Sequence, residues 1–492
     1  SAIHCVSQRP LRLTAIFNAE GRREDKPFSH FLRKAGVKKF HKKLMTQSTL
    51  ANGRIKSIAT NCLLTGIGLL IAVSLFHPNR SAIGRNESQP RAIPPVSPYL
   101  FIWAGDEDSK DSDFLAVIDS RPTSPTFGEI VATLPVGKRE TFPHHTEYEF
   151  PETSKLFLNG WGAGRTFIID LKEPTQPKLV TTFTDAEGYS FPHSFVRLSN
   201  GNVLATFQVK QKGYEPPGAL VELNSSGRVV RTSSAEVPGI DKKLLWPYSV
   251  TTLPEMDRAV TTTTEMGLPK WALPKAHGSS SHEHTLSDTT FIQIWSLKDL
   301  RLLATIPLPP PPNSKANLNP AEPRLLSDGT VYVNTFNCGL YRVLGLQGPG
   351  PKAEFVYAFP GADKPGLECG VPVVFGKFWI QTDPSLPGLI ALDVSEPGKP
   401  VEASRLVLDK RFDKPHWVAA DRTGGRLVVT GNNKSWVLIV TVDGATGRLT
   451  LDEKFKEKGK DYPGIDFNRS RWPHGETGPA FVHGALFGPR QR

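Results

Sequence analysis

The sequence predicts an all-β protein, a seven-bladed β-propeller closed by its own C-terminal strand. Three observations carry this expectation. Apolar strands recur in units that begin at prolines spaced 49, 55, 76, 49 and 43 residues apart. Each unit holds the same two turn signals, and the first unit lacks a strand that the last residues of the chain can supply. The composition agrees, since 42 Gly and 43 Pro among 492 residues suit short strands joined by turns better than long helices.

The first turn signal is Asp-x-x-(x)-Pro-x-x-Pro directly after an apolar strand. "FLAVIDSRPTSP" gives Asp119, Pro122 and Pro125; "TFIIDLKEPTQP" gives Asp170, Pro174 and Pro177; "LIALDVSEPGKP" gives Asp393, Pro397 and Pro400. Proline donates no ladder hydrogen bond, so paired prolines mark hairpins near a sheet edge.

The second signal is a strand opening at proline, then a Gly turn, then another apolar strand, as in "FPHSFVRLSNGNVLATF", "EPRLLSDGTVYVNTF" and "KPHWVAADRTGGRLVVTG". The six unit prolines are Pro143, Pro192, Pro247, Pro323, Pro372 and Pro415, with an insertion at 267–289, placed as a lid, accounting for the longest step. Units of this size are propeller blades of four strands. Ahead of them "YLFIWAG", "FLAVIDS" and "GEIVATL" make three strands with no innermost one, and the C-terminal "GPAFVHGALF" completes the set. Two separate β-sandwiches would explain neither the period nor the missing strand.

The net charge of +11 belongs to the front of the chain. Residues 1–91 hold 16 Lys/Arg against 4 Asp/Glu, which leaves the other 401 residues at −1. A basic leader on a near-neutral body argues for targeting and against nucleic-acid binding. Residues 1–44 read as an extension with no fold of their own. Residues 45–82 read as a signal peptide, with Arg54 and Lys56 ahead of an apolar run from Cys62 to Phe76, or as an uncleaved membrane anchor formed by residues 62–76. Residues 83–96 are a linker and 97–492 the propeller. The body is thus expected to be periplasmic or secreted, or else held at the membrane. Its two cysteines, Cys338 and Cys369, form no CxxC, and pairing or two separate buried thiols both remain open.

The residue after each unit proline should lie near one rim of the central channel. These residues are His144 with His145 beside it, His193, Tyr248, Arg324, Val373 and His416, and the closing strand adds His483. A single inner-strand histidine is ordinarily a hydrogen-bonded channel residue. Recurrence at one blade position points to a cation, because clustered imidazoles repel when protonated and crowd polar nitrogens when neutral. All-nitrogen sites suit Cu, Fe, Zn or Ni. Glu265, which ends "TTTTE", is a candidate channel carboxylate. The "SSSHEHT" stretch at 279–285 reads as a loop with a possible second use in metal binding. Walker, GxGxxG, HExxH and GxSxG motifs are absent from the sequence.

These same stretches resemble the selenium-binding protein family, which includes the methanethiol oxidases, over roughly residues 97–488. The resemblance rests on "FLAVIDSRPTSP", "FPHHTEY", "RTFIIDLKEPTQPKL", "FPHSFVRLSNGNVLATF", "TTTTE", "QIWSL", "AEPRLLSDG", "LIALDVSEPGKP" and "GPAFVHGALFG". It implies a copper-dependent propeller that oxidises methanethiol to formaldehyde, hydrogen sulfide and hydrogen peroxide. By position, His144, His145, His193, Glu322, Arg324 and His483 match the family's motifs. Two departures stand out: Gly128 occupies the place where the family often has a cysteine linked to selenium binding, and His416 stands where animal members are expected to carry glutamine.

The sequence therefore leads to an exported copper oxidase acting on a small thiol and O₂. Its metal would be held by His145, His193 and His483, with His144 and His416 as further ligands or supports. Arg324 would hold an anionic intermediate, while Tyr248 and Glu265 would handle protons. The alternatives are a propeller scaffold that binds metal or selenium without catalysis, and a four-histidine iron oxygenase.

Overall fold

Strands such as Phe114–Asp119 and Gly388–Asp393 are almost wholly apolar, and nearly every residue in them is buried. That pattern suits a sheet covered on both faces, as a blade is by its two neighbours. The outermost strands instead alternate, as in Val401–Val407, where every second residue is exposed. In the computed structural model, which describes residues 96–272, 286–364, 367–421, 424–475 and 478–489, these strands form seven antiparallel sheets. The expectations for the leader and for the "SSSHEHT" stretch lie outside the described residues.

Blade one consists of Ala480–Phe487, Tyr99–Asp106, Phe114–Asp119 and Ile130–Pro135, in that order from the channel outward. The last strand of the chain thus pairs antiparallel with the first, Leu100 opposite Phe487 and Asp106 opposite Ala480. Blades two to seven begin at the channel with Pro143–Thr146, Tyr189–Arg197, Pro247–Leu253, Pro320–Leu325, Val373–Phe375 and Pro415–Asp421. Each then steps outward through three more strands in chain order, and blade seven carries one additional short strand, Ile465–Asp466. Innermost strands touch in sequence around the ring, and blade seven meets the closing strand of blade one. The Asp-Pro-Pro segments join the two outer strands of their blades. Asp119, Asp170 and Asp393 each accept the backbone N–H two residues on, which holds the turn. Cys338 and Cys369 are joined as a disulfide.

One irregularity recurs at the channel. The innermost ladder skips two residues against one at His144–His145, His193–Ser194, Tyr248–Ser249, Ala321–Glu322 and His483–Gly484. In blade seven it skips His416. Such bulges re-aim consecutive side chains and leave a backbone N–H outside the ladder. The residue opposite the bulge repairs this. Asn159, Thr206, Thr262 and Asn334 accept from the backbone N–H of His145, Ser194, Ser249 and Glu322 at 2.6, 3.1, 3.1 and 2.9 Å. The same side chains donate to backbone carbonyls of the next blade, at His193, Tyr248, Ala321 and Gly370. Thr382 and Thr430 donate likewise to the carbonyls of His416 and His483.

This pattern aligns the blades and corrects the sequence reading at two of them. The upper channel ring is His483, His144, His193, Tyr248, Ala321, Gly370 and His416, blade by blade. Arg324 and Val373 do not belong to it. In blade five the proline ahead of the bulge is Pro320, three residues before Pro323. In blade six glycine fills the place, because a Cβ on Gly370 would lie 2.1 Å from the carbonyl oxygen of His416.

Candidate metal centre

Four imidazoles of the upper ring and His145, one step below His144, converge on the side of the channel formed by blades seven, one, two and three. All five histidines are buried. Ring centroids lie 4.0 Å apart for His144 and His483, 4.2 Å for His145 and His193, 4.4 Å for His144 and His145, and 4.7 Å for His416 and His483. Ligand nitrogens of His144, His145 and His193 fall within 4.8 Å of one another.

Hydrogen bonds fix the tautomers of two rings. His193 Nδ1 lies 2.8 Å from the Tyr248 carbonyl oxygen, which can only accept, so Nδ1 carries the proton and Nε2 presents its lone pair to the cluster. His483 Nδ1 faces Asn433 Oδ1 at 3.3 Å, which likewise turns Nε2 inward. His145 Nδ1 is 3.4 Å from Ser194 Oγ. Nε2 of His145, Nε2 of His483 and Nδ1 of His144 have no hydrogen-bond partner among the described residues.

Charge is disfavoured throughout. Burial first, and the neighbouring imidazoles second, hold His144, His145 and His483 well below the ordinary histidine range. Burial does the same for His193, although the Tyr248 carbonyl works in the opposite direction, and it lowers His416 to about 4. The site is therefore a pocket of neutral nitrogen donors with inward lone pairs. It fits a nitrogen-preferring transition ion, which would occupy what are otherwise orphaned buried atoms.

On the facing side, Ala321 and Gly370 leave space. A cavity of about 760 Å³ opens there, lined by His144, His416, Tyr248, Glu265, Phe336 and Glu368 among others. Tyr248 packs on His193 with centroids 3.7 Å apart, and burial holds its hydroxyl well above the ordinary range. Glu265 is buried and accepts from the backbone N–H of Ser287, so it ties down the far limb of the 267–289 insertion. The near limb is held where Trp161 Nε1 donates to the Gly267 carbonyl and Trp271 Nε1 to that of Gly162.

Arg324 lies elsewhere. Along the innermost strands, residues near the bulge line the histidine cavity, while later ones such as Glu147, Arg197, Arg324 and Val418 line a second cavity at the other end of the channel. Between the two sits a polar layer that the sequence reading missed. Glu322 Oε2 accepts from Tyr148 Oη, Ser249 Oγ and Arg324 Nη1 at 2.7, 2.6 and 2.8 Å. The Arg324 guanidinium covers the Tyr148 ring at 3.9 Å, and that ring stacks on Trp417, itself 4.9 Å from His145. Charge balance inside the protein thus occupies Arg324.

The described chain is a seven-bladed propeller with a buried polyhistidine cluster at one channel mouth. A family profile described as 56kDa selenium binding protein matches residues 95–338, which is 244 of the 492 residues. Among curated proteins it is 32% identical over 141 residues to a methanethiol oxidase of Hyphomicrobium sp. and 31% identical over 145 residues to that of Ruegeria pomeroyi. Each match spans 27% of this chain, and only 31% and 32% of those relatives. A selenium-binding protein 3 from Arabidopsis thaliana is 28% identical over 159 residues, or 28% of this chain and 33% of that one. Among solved structures, a hypothetical selenium-binding protein from Sulfolobus tokodaii superposes with a TM-score of 0.60 at 17% identity, covering 80% of this chain and 93% of that one. A periplasmic gluconolactonase of Pseudomonas aeruginosa reaches 0.54 at 12% identity over 80% and 99%. Both likenesses concern the fold. Gly128 sits at φ +81°, where a Cβ would meet the Lys456 carbonyl oxygen at 2.7 Å, so this backbone has no room for a cysteine there.

Proposed function

We propose that this chain is an exported copper-dependent oxidase of small thiols, with methanethiol as the reference substrate. The observation that carries the proposal is the set of inward, unprotonated Nε2 atoms on His193 and His483, joined by the orphaned Nε2 of His145. These three would hold the ion, with His144 and His416 beside it; iron is the alternative occupant. Copper would supply an acid soft enough to take thiolate sulfur and a redox couple able to pass electrons to O₂.

The protein's own groups do the rest. Glu265, in the cavity wall, takes the thiol proton on its carboxylate. The Tyr248 hydroxyl, kept protonated by burial, donates a hydrogen bond into the cavity. The apolar wall formed by Phe336, Leu286 and Met266 suits a short alkyl group and limits water. The overall change balances as CH₃SH + O₂ + H₂O → CH₂O + H₂S + H₂O₂. The methyl carbon loses two electrons, O₂ gains them with two protons, and sulfur leaves in its original oxidation state. Arg324 has no part in this scheme. The leader supports export to the periplasm or beyond, with membrane attachment through residues 62–76 as the other outcome.

Elemental analysis of the purified chain beside His193→Ala and His483→Ala variants tests the proposal, with methanethiol-dependent O₂ uptake as the second measurement. The expected result is about one copper per chain, absent from both variants, and uptake that follows copper content. Copper without uptake leaves a metal-binding scaffold. Iron points to an oxygenase. No metal after loading with either ion overturns the proposal.

A further inference from the structure

The four most crowded histidines come from three blades: His483 from blade one, His144 and His145 from blade two, and His193 from blade three. Backbone bridges join blade six to blade seven at Val371–Trp417 and blade seven to blade one at Lys434–Val482, whereas the innermost strands of blades one, two and three share no ladder. Something has to join these three blades beside the cluster.

We infer that Asn159 is the positioning residue of the histidine centre. It stands opposite the His144–His145 bulge, fully buried, and bonds to all three blades. Its Oδ1 accepts from the backbone N–H of His145 at 2.6 Å. Its Nδ2 donates to the backbone carbonyls of Pro192 and His193 at 2.7 and 3.1 Å. Its own carbonyl accepts from Trp103 Nε1 at 2.6 Å, and Trp103 is the residue opposite the His483–Gly484 bulge in blade one. One amide therefore sets His145 against His193, while its backbone ties both to the strand that pairs with His483.

The chemistry of the group is specific. A carboxamide has an acceptor on one side and two donors on the other, which matches one N–H of its own blade and two carbonyls of the next. Threonine suffices at Thr206 and Thr262, where one carbonyl is held. Aspartate has the same shape as asparagine with no donor, so it would set a carboxylate against two carbonyl oxygens. Asn334 does the corresponding work in blade five, accepting from Glu322 N–H and donating to the Gly370 carbonyl, between two ring positions, Ala321 and Gly370, that carry no histidine side chain. It is the natural control.

The inference rests on the metal-centre reading for its functional consequence, but not for its geometric one. Asn159→Asp and Asn334→Asp are compared in the full chain by thermal unfolding, by Cu(II) affinity and by the electron paramagnetic resonance spectrum of bound Cu(II). Both variants should lose thermal stability. Asn159→Asp alone should shift the copper spectrum and weaken binding roughly 10–100-fold, the scale for groups that orient metal ligands. A crystal structure of metal-free Asn159→Asp supplies a readout that needs no metal, with the 4.2 Å separation of the His145 and His193 rings expected to widen. Asn159→Gln is the milder variant if the aspartate fails to fold. An unchanged ring separation overturns the inference. So does a copper spectrum that Asn334→Asp alters as much as Asn159→Asp. Failure of the wild-type chain to bind copper would sink the oxidase reading, and the crystal comparison would still decide the role of Asn159.

Discussion

Nε2 of His144 lies 3.2 Å from Nε2 of His193, and both residues are buried. The Tyr248 carbonyl has already fixed the His193 proton on Nδ1, so the His144 nitrogen must donate in the metal-free protein. That leaves the other His144 nitrogen buried without a partner. The metal-free cluster is thus a place where folding strands polar atoms, at a cost of about 1–3 kcal/mol for each.

A bound ion should remove that cost. Adding Cu(II) to metal-free protein at a hundred times its dissociation constant should stabilise the fold by about 2.7 kcal/mol, seen as a rise in Tm. Chelation should reverse the rise, and His193→Ala should abolish it. An equal rise in wild type and variant would mean that the ion binds elsewhere.

The same burial gives the metal-free protein an acid-sensitive stability. Folding lowers these histidines, so between the unfolded value near 6.5 and the folded value the unfolded chain binds more protons. Their stabilising contribution is complete above pH 6.5 and drains away as pH falls. For His416 the window closes at about pH 4. Urea unfolding across that range should show stability dropping toward acid. His416→Asn should make the slope shallower by up to ~1.4 kcal/mol per pH unit. An identical slope would show that His416 is already protonated in the fold.

The stitching side chains predict a cost where no ligand is involved. Thr206 accepts from Ser194 N–H at 3.1 Å and donates to the Tyr248 carbonyl at 2.6 Å, fully buried. Thr206→Val keeps the shape and removes both bonds, which should cost about 1–3 kcal/mol in denaturant unfolding. A loss below about 0.5 kcal/mol, typical of a surface change, would deny these residues their part in holding the blades together.

How far this was readable in the sequence follows from the same residues. The blade count, the closing strand and the gathering of His144, His145, His193, His416 and His483 were legible because turn chemistry and strand period are local signals. The ring register at blades five and six was not. Pro320 and Pro323 are equivalent as strand-opening signals, and only the pairing of Pro320 with Thr335 separates them. Gly370 carries no side chain to mark its place. The polar layer of Tyr148, Ser249 and Glu322 was hidden because its members are up to 174 residues apart. The Asn/Thr series did leave a trace, as a polar residue near the end of each unit's second strand in "FLNG", "ATFQ", "TTTTE", "VNTF", "IQTD" and "VVTG". A polar residue in an otherwise apolar buried strand is the trace that such inter-blade bonding leaves in a sequence.

That polar layer yields the sharpest prediction about stability. Glu322 Oε2 takes three donors while its carboxylate balances Arg324, whose side chain is only 13% exposed. Glu322→Gln keeps the volume but leaves the guanidinium without its counter-charge under the Tyr148–Trp417 stack. Removing one partner of a buried pair costs on the order of 3–5 kcal/mol, whereas replacing both with groups of similar shape costs far less. Glu322→Gln alone should therefore be markedly destabilised, and adding Arg324→Met should recover much of the loss, measured as a double-mutant cycle in denaturant unfolding. Additive losses would show that the pair is uncoupled. Arg324 would then be available for a ligand entering from the far end of the channel, a role its present contacts do not give it.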